Sequence, residues 1–214
     1  MIDFKHVTVG GWQTAFRGMR NSWESWDKSD SITEIEWVDA IPQRKFVMGK
    51  DDHALALRLS KAGGDHAKYL RQITVEVDII APEYWWKEYD TYKVGTVANS
   101  TSMMHTLGKD YTDSEAVNFE DVDDDLEQRY MSILNEAQRR WYESGKKKPS
   151  REWRQMLQLT SQAFIYTRTC TLNYQVLKNM YHSRKLHRLQ EWRDFASWVE
   201  TLPYAELITL KEGK

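Results

Sequence analysis

A single cysteine, Cys170, leaves this chain unable to close an intrachain disulfide or build a thiolate zinc knuckle. A reduced thiol buried as a small hydrophobe is expected, and with it a cytoplasmic setting. Charge of one sign is also scarce. With 30 Lys and Arg against 32 Asp and Glu, the net charge of -2 gives no global field for nucleic acid or membrane. Any anionic ligand must be met by a local cluster. No apolar run approaches the ~20 residues that cross a bilayer. The opening MIDFKHVTVGG lacks the basic start and apolar run of a signal peptide, so a soluble protein with no membrane partner is expected. Internal repeats and low-complexity tracts are absent as well.

Familiar catalytic signatures are missing too. There is no Gly-x-x-x-x-Gly-Lys loop, no Gly-x-Gly-x-x-Gly after a strand and no Gly-x-Ser-x-Gly elbow, and Cys170 has no evident base beside it. The six histidines show no ligand spacing on one helix face: His182 and His187 are five apart, while His53, His66 and His105 stand alone. No metal is assigned. The basic run HSRKLHR, 182–188, is too short in a slightly acidic chain to argue for direct nucleic-acid binding.

What is present is a length of 214 residues, enough for one domain with a sizeable core, and aromatics in quantity, 10 Trp and 11 Tyr. Such a mix suits subunit contacts or a planar ligand, with ordinary core packing accounting for most of the rings. The pattern predicts a strand over 5–9, a helix over 14–23 and a strand-like ITEIEWVDAI before Pro42. DDHALALRLSKAGG, with acidic residues at its start, Leu55 and Leu59 four apart and Gly63 to stop it, predicts a helix. QITVEVDIIA alternates Ile73, Val75, Val77 and Ile79 against Thr74, Glu76 and Asp78, the period of a strand with one buried face. Pro82 ends it and opens an aromatic helix, PEYWWKEYDTYKV, followed by a small, hydroxyl-rich loop, GTVANSTSMMH.

FEDVDDDLEQRYMSILNEAQRRWYESG begins acidic and turns basic, as a long helix does in response to its own dipole. Asp123, Asp124 and Asp125 read as its solvated first turn rather than a metal site. Gly145, Lys146 to Lys148 and Ser150 read as a turn that ends one helix and caps the next. From Ser150 to Glu200 nearly continuous helix is predicted, weakened at TRTCT by clustered threonines, with PYAEL as a final turn. The sum is an α+β chain, a helix-rich single domain over 1–214 around a modest sheet.

One stretch, TLNYQVLKNMYHSRKLHRLQEW over 171–192, carries more than an apolar stripe needs. Beside Leu172, Val176, Leu177 and Met180 it holds Asn173, Asn179 and Arg184, which gain little from a core. On a continuous helix Asn173 and Arg184, eleven residues apart, share a face about 16 Å apart along the axis. Asn179 lies about 120° away, so it reaches round, serves another subunit, or sits beyond a distortion.

This stretch, together with the element order of DDHALALRLSKAGGDHAKYLRQITVEVDIIAPEYWWKEYDTYKVGTVANSTSM, resembles the flavin-dependent thymidylate synthases. That family methylates dUMP with methylenetetrahydrofolate as carbon donor and FAD carrying hydride from NADPH. It works as a homotetramer with shared active sites. The resemblance implies a mainly antiparallel sheet, FAD held by Asn173 and Asn179, and the dUMP phosphate bound by Arg184, with Gln190 at a family glutamine. It also places Ser22 near a serine that the family uses for FAD, and Gln72 near a histidine at the flavin.

The family's Arg-His-Arg signature is not kept. Thr91, Tyr92 and Lys93 stand at the triplet, Asn99 and Thr101 near a Glu and a Ser, and Met103 where a further arginine contacts dUMP; a slip of one exchanges Thr101 for Ser100 or Ser102. Lys93 is the one basic group left there, so Lys87 on the aromatic helix and the hydroxyls of Ser100, Thr101 and Ser102 are the remaining helpers for the nucleotide, beside Arg184. Trp85, Trp86, Tyr89 and Tyr92 either stack on a flavin or pterin ring or pack against a sheet.

Two functions are compatible with this. One is a flavoenzyme methylating dUMP or a related deoxypyrimidine nucleotide in a phage or bacterial nucleotide pathway. The other is a catalytically inactive relative that keeps the fold as a nucleotide-binding or protein-interaction module.

Overall fold

The computed structural model describes residues 1–106 and 114–211. In chain order the elements are β1 (Asp3–Gly10), α1 (Trp12–Met19), β2 (Ile32–Val38), β3 (Ile41–Val47), α2 (Lys50–Ala62), β4 (Thr74–Pro82), α3 (Glu83–Tyr89), β5 (Val97–Ser100), α4 (Met103–Thr106), α5 (Asp124–Glu143), α6 (Arg151–Leu159), β6 (Ile165–Asn173), α7 (Tyr174–Arg184), α8 (Gln190–Val199) and α9 (Glu206–Thr209). A long 3-10 run, Gly64–Gln72, links α2 to β4. The architecture is α+β and helix-rich, with a small antiparallel sheet in the order β1-β4-β6-β5 and a separate β2-β3 hairpin. Among the described residues no helix is long and apolar enough to cross a membrane.

The chain divides into two compact units. The first comprises Met1–Lys5, Asp78–Thr91 and Ala98–Thr169, and the second His6–Val77, Tyr92–Val97 and Cys170–Lys214. In the first, the aromatic run of α3 is core: Trp85, Trp86 and Tyr89 are fully buried, so of the two roles open to them only packing remains. A second cluster of Leu134, Ala137, Trp141, Trp153 and Met156 glues α5 to α6. Ser150 caps α6 by accepting from the Trp153 N–H at 3.1 Å, as its place after the lysines led one to expect.

In the second unit, α1, α2 and α7 gather round the 64–72 run, and α9 packs on α2 and α7. Trp12 stacks on Phe46 at 5.7 Å and meets Tyr174 and Tyr204 edge-on. Much of the aromatic content is used here, as geometry-specific packing. Gly11 (φ 83°) starts α1 because a Cβ there would come within 1.9 Å of the Gln72 carbonyl oxygen.

Several elements differ from the sequence reading, each for a local reason. The 32–41 stretch is not one strand: it turns at Asp39 and Ala40, both at positive φ, and Pro42 sits on the return strand opposite Trp37. Asp39 suits the first place of such a turn, but Ala40 stands where a Gly usually announces it. The aromatic helix stops at Tyr89 rather than running to Val94, closing with the Asp90 N–H on the Trp86 carbonyl. Part of the expected loop after it is the edge strand β5 and the short α4. The acidic helix begins at Asp124, with Asp123 as its cap residue.

The largest correction lies between Ser150 and Glu200. Continuous helix is replaced by α6, strand β6, α7 and α8. The threonines of TRTCT are not a weak spot in a helix but the outward positions of a strand: Thr169 and Thr171 are exposed while Cys170 and Leu172 are buried. Within α2 the fully buried row is Asp52, Ala56 and Ser60, not the leucines. Its first N–H groups are capped from outside the helix by Asp30, which accepts from Asp51 N and Asp52 N at 2.9 Å each.

Candidate functional site

Helix α7 presents the polar trio in three different ways. Asn173 is not inside the helix. It is the extended N-cap residue, and its Oδ1 accepts from the Val176 N–H at 2.9 Å. The shared face deduced for Asn173 and Arg184 therefore fails at its first residue, because β6 runs up to it. The Asn173 amide nitrogen lies against Gly95 (φ 84°), where an added Cβ would approach it to 2.7 Å. Asn179 is exposed and accepts from Gln175 Nε2 at 3.0 Å. Nothing displaces it from the helical path.

Arg184, the last residue of α7, is half-buried in an aromatic frame. Its Nε donates to the Tyr92 hydroxyl at 2.9 Å, and the guanidinium lies 4.8 Å from the Trp192 ring centre and 5.6 Å from that of Tyr92. Its Nη1 stands 3.1 Å from His187 Nε2. Tyr92, which the resemblance sets at the lost signature triplet, thus holds the cation in place. Neighbouring Lys93 is exposed. Below this frame, burial lowers the pKa of Lys178, whose Nζ donates to the Ser60 carbonyl and hydroxyl. That lysine ties α7 to α2 and is a packing device, since Ser60 is fully buried.

In the same unit a cavity of about 790 Å³ opens between the end of α1, α2 and the 64–72 run. Ser22 lines it, beside Trp23, Arg58, His66 and Lys68. Leu55 and Leu59 give it an apolar wall, which is why they are not in the core. Arg20 reaches its edge but is committed to Asp52, with Nη2 at 2.6 Å and Nε at 2.7 Å from the same carboxylate oxygen. Burial pushes the Asp52 carboxyl up, but hydrogen bonds from Ser29, Ser31 and Arg20, with the charge of Arg20, outweigh it and hold the group below its ordinary value. Gln72 is exposed and lays its side-chain oxygen against Gly18, one of the lining residues.

The sequence reading missed Arg58, His66 and Lys68. The first two were legible only as a helix-surface cation and a solitary histidine, since the 3-10 run that brings His66 and Lys68 to the cavity has no apolar period of its own. The cavity size falls within the range of small-molecule sites, and its lining combines cations, hydroxyls and one indole with the Asp65 carboxylate, which pairs with Lys68 at 3.1 Å and leaves Arg58 as the cation best placed for an anionic ligand with a planar part.

The first unit holds the other residues singled out above. Thr101 pairs its backbone N–H with the Thr167 carbonyl at 2.9 Å and accepts the Thr167 N–H at its hydroxyl, at the margin of a smaller cavity of about 300 Å³. Ser100 donates to the Thr101 carbonyl, and the Ser102 carbonyl caps α4. Lys87 is exposed on α3. Met103, where an arginine was sought, packs against the α5–α6 cluster. Burial first, then the charge of Glu83, pushes the Tyr166 phenol in the cavity wall up to about 12, so it stays a neutral donor at ordinary pH. Back in the second unit, His53 meets Glu206, and His182 meets the Ile208 carbonyl. Among the described residues no three His, Cys, Asp or Glu groups converge as metal ligands would.

Solved structures share this fold. The flavin-dependent thymidylate synthase ThyX of Helicobacter pylori, complexed with FAD and dUMP, matches with a TM-score of 0.72 at 16% identity over 97% of each chain. Another structure of that protein with the same ligands gives 0.71 at 16% identity, covering 97% of this chain and 96% of that one. The UMP/dUMP methylase PolB of Streptomyces cacaoi, bound with 5-Br dUMP, gives 0.63 at 14% identity over 98% of this chain and 94% of that one. No protein-family model and no curated protein matches by sequence. At such identities the likeness establishes the fold.

Proposed function

We propose that this chain binds a deoxypyrimidine nucleotide, dUMP or a near relative, with Arg184 on its phosphate, and methylates it with methylenetetrahydrofolate and reduced FAD. The observation behind the reading is the Arg184 frame: a guanidinium fixed by the Tyr92 hydroxyl and by two aromatic faces, in a fold of which two solved examples carry FAD and dUMP and another 5-Br dUMP. A cation preset in this way binds a phosphate without first losing side-chain freedom.

FAD, with hydride from NADPH, would supply the reducing chemistry when bound. The protein's part is to hold and orient. The cavity lined by Ser22 fits the group: Arg58, Lys68 and Ser22 would take its phosphates and hydroxyls, and Trp23 would offer a ring face. Asn173 contributes its amide nitrogen, because its oxygen is spent on capping α7. Asn179, Gln72 and Lys93 are the outer cofactor contacts. The family resemblance carries with it a homotetramer in a bacterial or phage cytoplasm.

A second reading has its own support. Tyr92 is engaged with Arg184 and Met103 with a hydrophobic cluster, so neither place offers the phosphate a charge. A chain built so binds nucleotide without methyl transfer. Purified protein separates the two readings. Flavin absorbance bands, dUMP binding lost in Arg184→Ala, and dUMP-dependent NADPH oxidation with methylenetetrahydrofolate are expected for the enzyme. Nucleotide binding on a colourless protein that leaves NADPH untouched would support the second, and undiminished dUMP binding by Arg184→Ala would sink both.

A further inference from the structure

We propose that the outer face of α6, with the lysine turn before it, is a docking surface for double-stranded DNA, the helix lying in the major groove and the lysines meeting the flanking phosphates. The surface lies within the first unit and is independent of the reading of Arg184.

The near-neutral charge of the whole chain conceals a local excess. Over 146–158, KKKPSREWRQMLQ, five cations stand against one carboxylate. Lys146, Lys147, Lys148, Arg151 and Arg154 are all exposed. The carboxylates in the last turns of α5 do not cancel them, because Glu136 pairs with Arg139 and Arg140, and Glu143 with Arg139. Two of the lysines are fixed by groups that carry no charge: Lys146 Nζ lies 3.9 Å from the Tyr142 ring centre, and Lys148 Nζ donates to the Met104 carbonyl at 3.1 Å. Among the described residues none of the five cations enters an ion pair.

The residue types on α6 select the anion. Trp153 and Met156 turn into the α5–α6 cluster, and at about 100° per residue Arg151, Arg154, Gln155 and Gln158 form a stripe on the opposite side. The same four residues, with Pro149 and Ser150, line a groove of about 570 Å³. Glu152 falls outside the stripe. No apolar or aromatic side chain stands on it, which removes the anchors that a lipid surface or a single strand needs. What remains is two guanidinium forks and two carboxamides, the groups that pair with guanine and adenine edges in the major groove of DNA. Duplex RNA keeps that groove too narrow for side chains to read. Helix α6 has nine residues. That is about 14 Å, the rise of about four base pairs. Lys146 to Lys148 precede its N-terminus, where the helix dipole adds to their charge.

Fluorescence anisotropy of a labelled DNA duplex of mixed sequence, titrated with the full-length chain, tests the assignment. Binding in the micromolar range is expected at about 50 mM salt, weakening by about 50- to 500-fold at about 200 mM, as three to five phosphate contacts require. The double variant Arg151→Gln with Arg154→Gln is expected to bind at least about tenfold more weakly at the lower salt, with the log–log salt slope reduced by about 2. Lys50→Gln with Lys61→Gln, which removes the same charge from exposed places on α2, is expected to bind as the wild type does. In the wild type, the backbone amide resonances of 146–158 should shift on adding duplex, a readout that needs no variant to fold. No salt-sensitive binding up to about 100 µM chain, tighter binding of single-stranded DNA or duplex RNA of the same sequence, equal losses in the two double variants, or amide shifts that spare 146–158 would each overturn the proposal.

Discussion

At the scale of single residues, the Arg20–Asp52 pair puts two opposite charges into the interior of the second unit. Both side chains are buried, and the carboxylate is also met by the Ser29 hydroxyl and the Ser31 N–H. Removing one partner strands a charge, so Arg20→Ala is expected to lose about 3–5 kcal/mol in urea unfolding. The double variant Arg20→Met with Asp52→Leu should recover most of that loss. The same pair sets an acid dependence. Because the folded carboxyl titrates below its ordinary value, its contribution is complete above the unfolded value of about 3.9 and disappears as pH falls through the folded value. Circular dichroism should therefore show wild-type stability declining below about pH 4, with a shallower decline in the double variant.

At the scale of elements, the start of α7 depends on one amide and one glycine. Asn173→Ala removes the cap of the Val176 N–H and is expected to cost about 1 kcal/mol in thermal unfolding. Gly95→Ala asks an L-residue to adopt φ 84° against the Asn173 amide, and should cost at least as much. Removing Asn173 as well relieves the contact but not the backbone strain, so the two losses should add incompletely. The β2–β3 hairpin behaves otherwise. Ile35 and Trp37 are about two-thirds exposed (67% and 69%), so Ile35→Ser should change chain stability by no more than about 0.5 kcal/mol. A larger loss that grows with protein concentration would show the hairpin covered by another chain.

Over the whole molecule, protection is expected to follow burial and not helix length. Helix α5 is 20 residues long, yet its buried residues begin at Leu134, whereas α7 buries Tyr174, Val176, Leu177, Met180 and Tyr181 within 11. Hydrogen exchange should find amides 127–133 opening at lower free energy than amides 177–181. The reverse order would mean that α5 is covered from outside. What the sequence determined by itself was whatever has a period or a local chemical stop: the alternation of β4, Gly63 after α2 and Ser150 before α6. Tertiary structure alone decided that TRTCT is a strand, because β-branched residues interrupt a helix or line a sheet equally well until a partner strand fixes the choice. It alone moved Asn173 from a place on the helix face to the cap before it, and it gathered Ser22, Arg58, His66 and Lys68 around one cavity. It alone brought Tyr92 and His187 to Arg184, residues distant or unremarkable in the chain. Long-range contacts leave no spacing in a sequence, so a site assembled from separate segments is legible only where each segment also has a local reason to carry its residue.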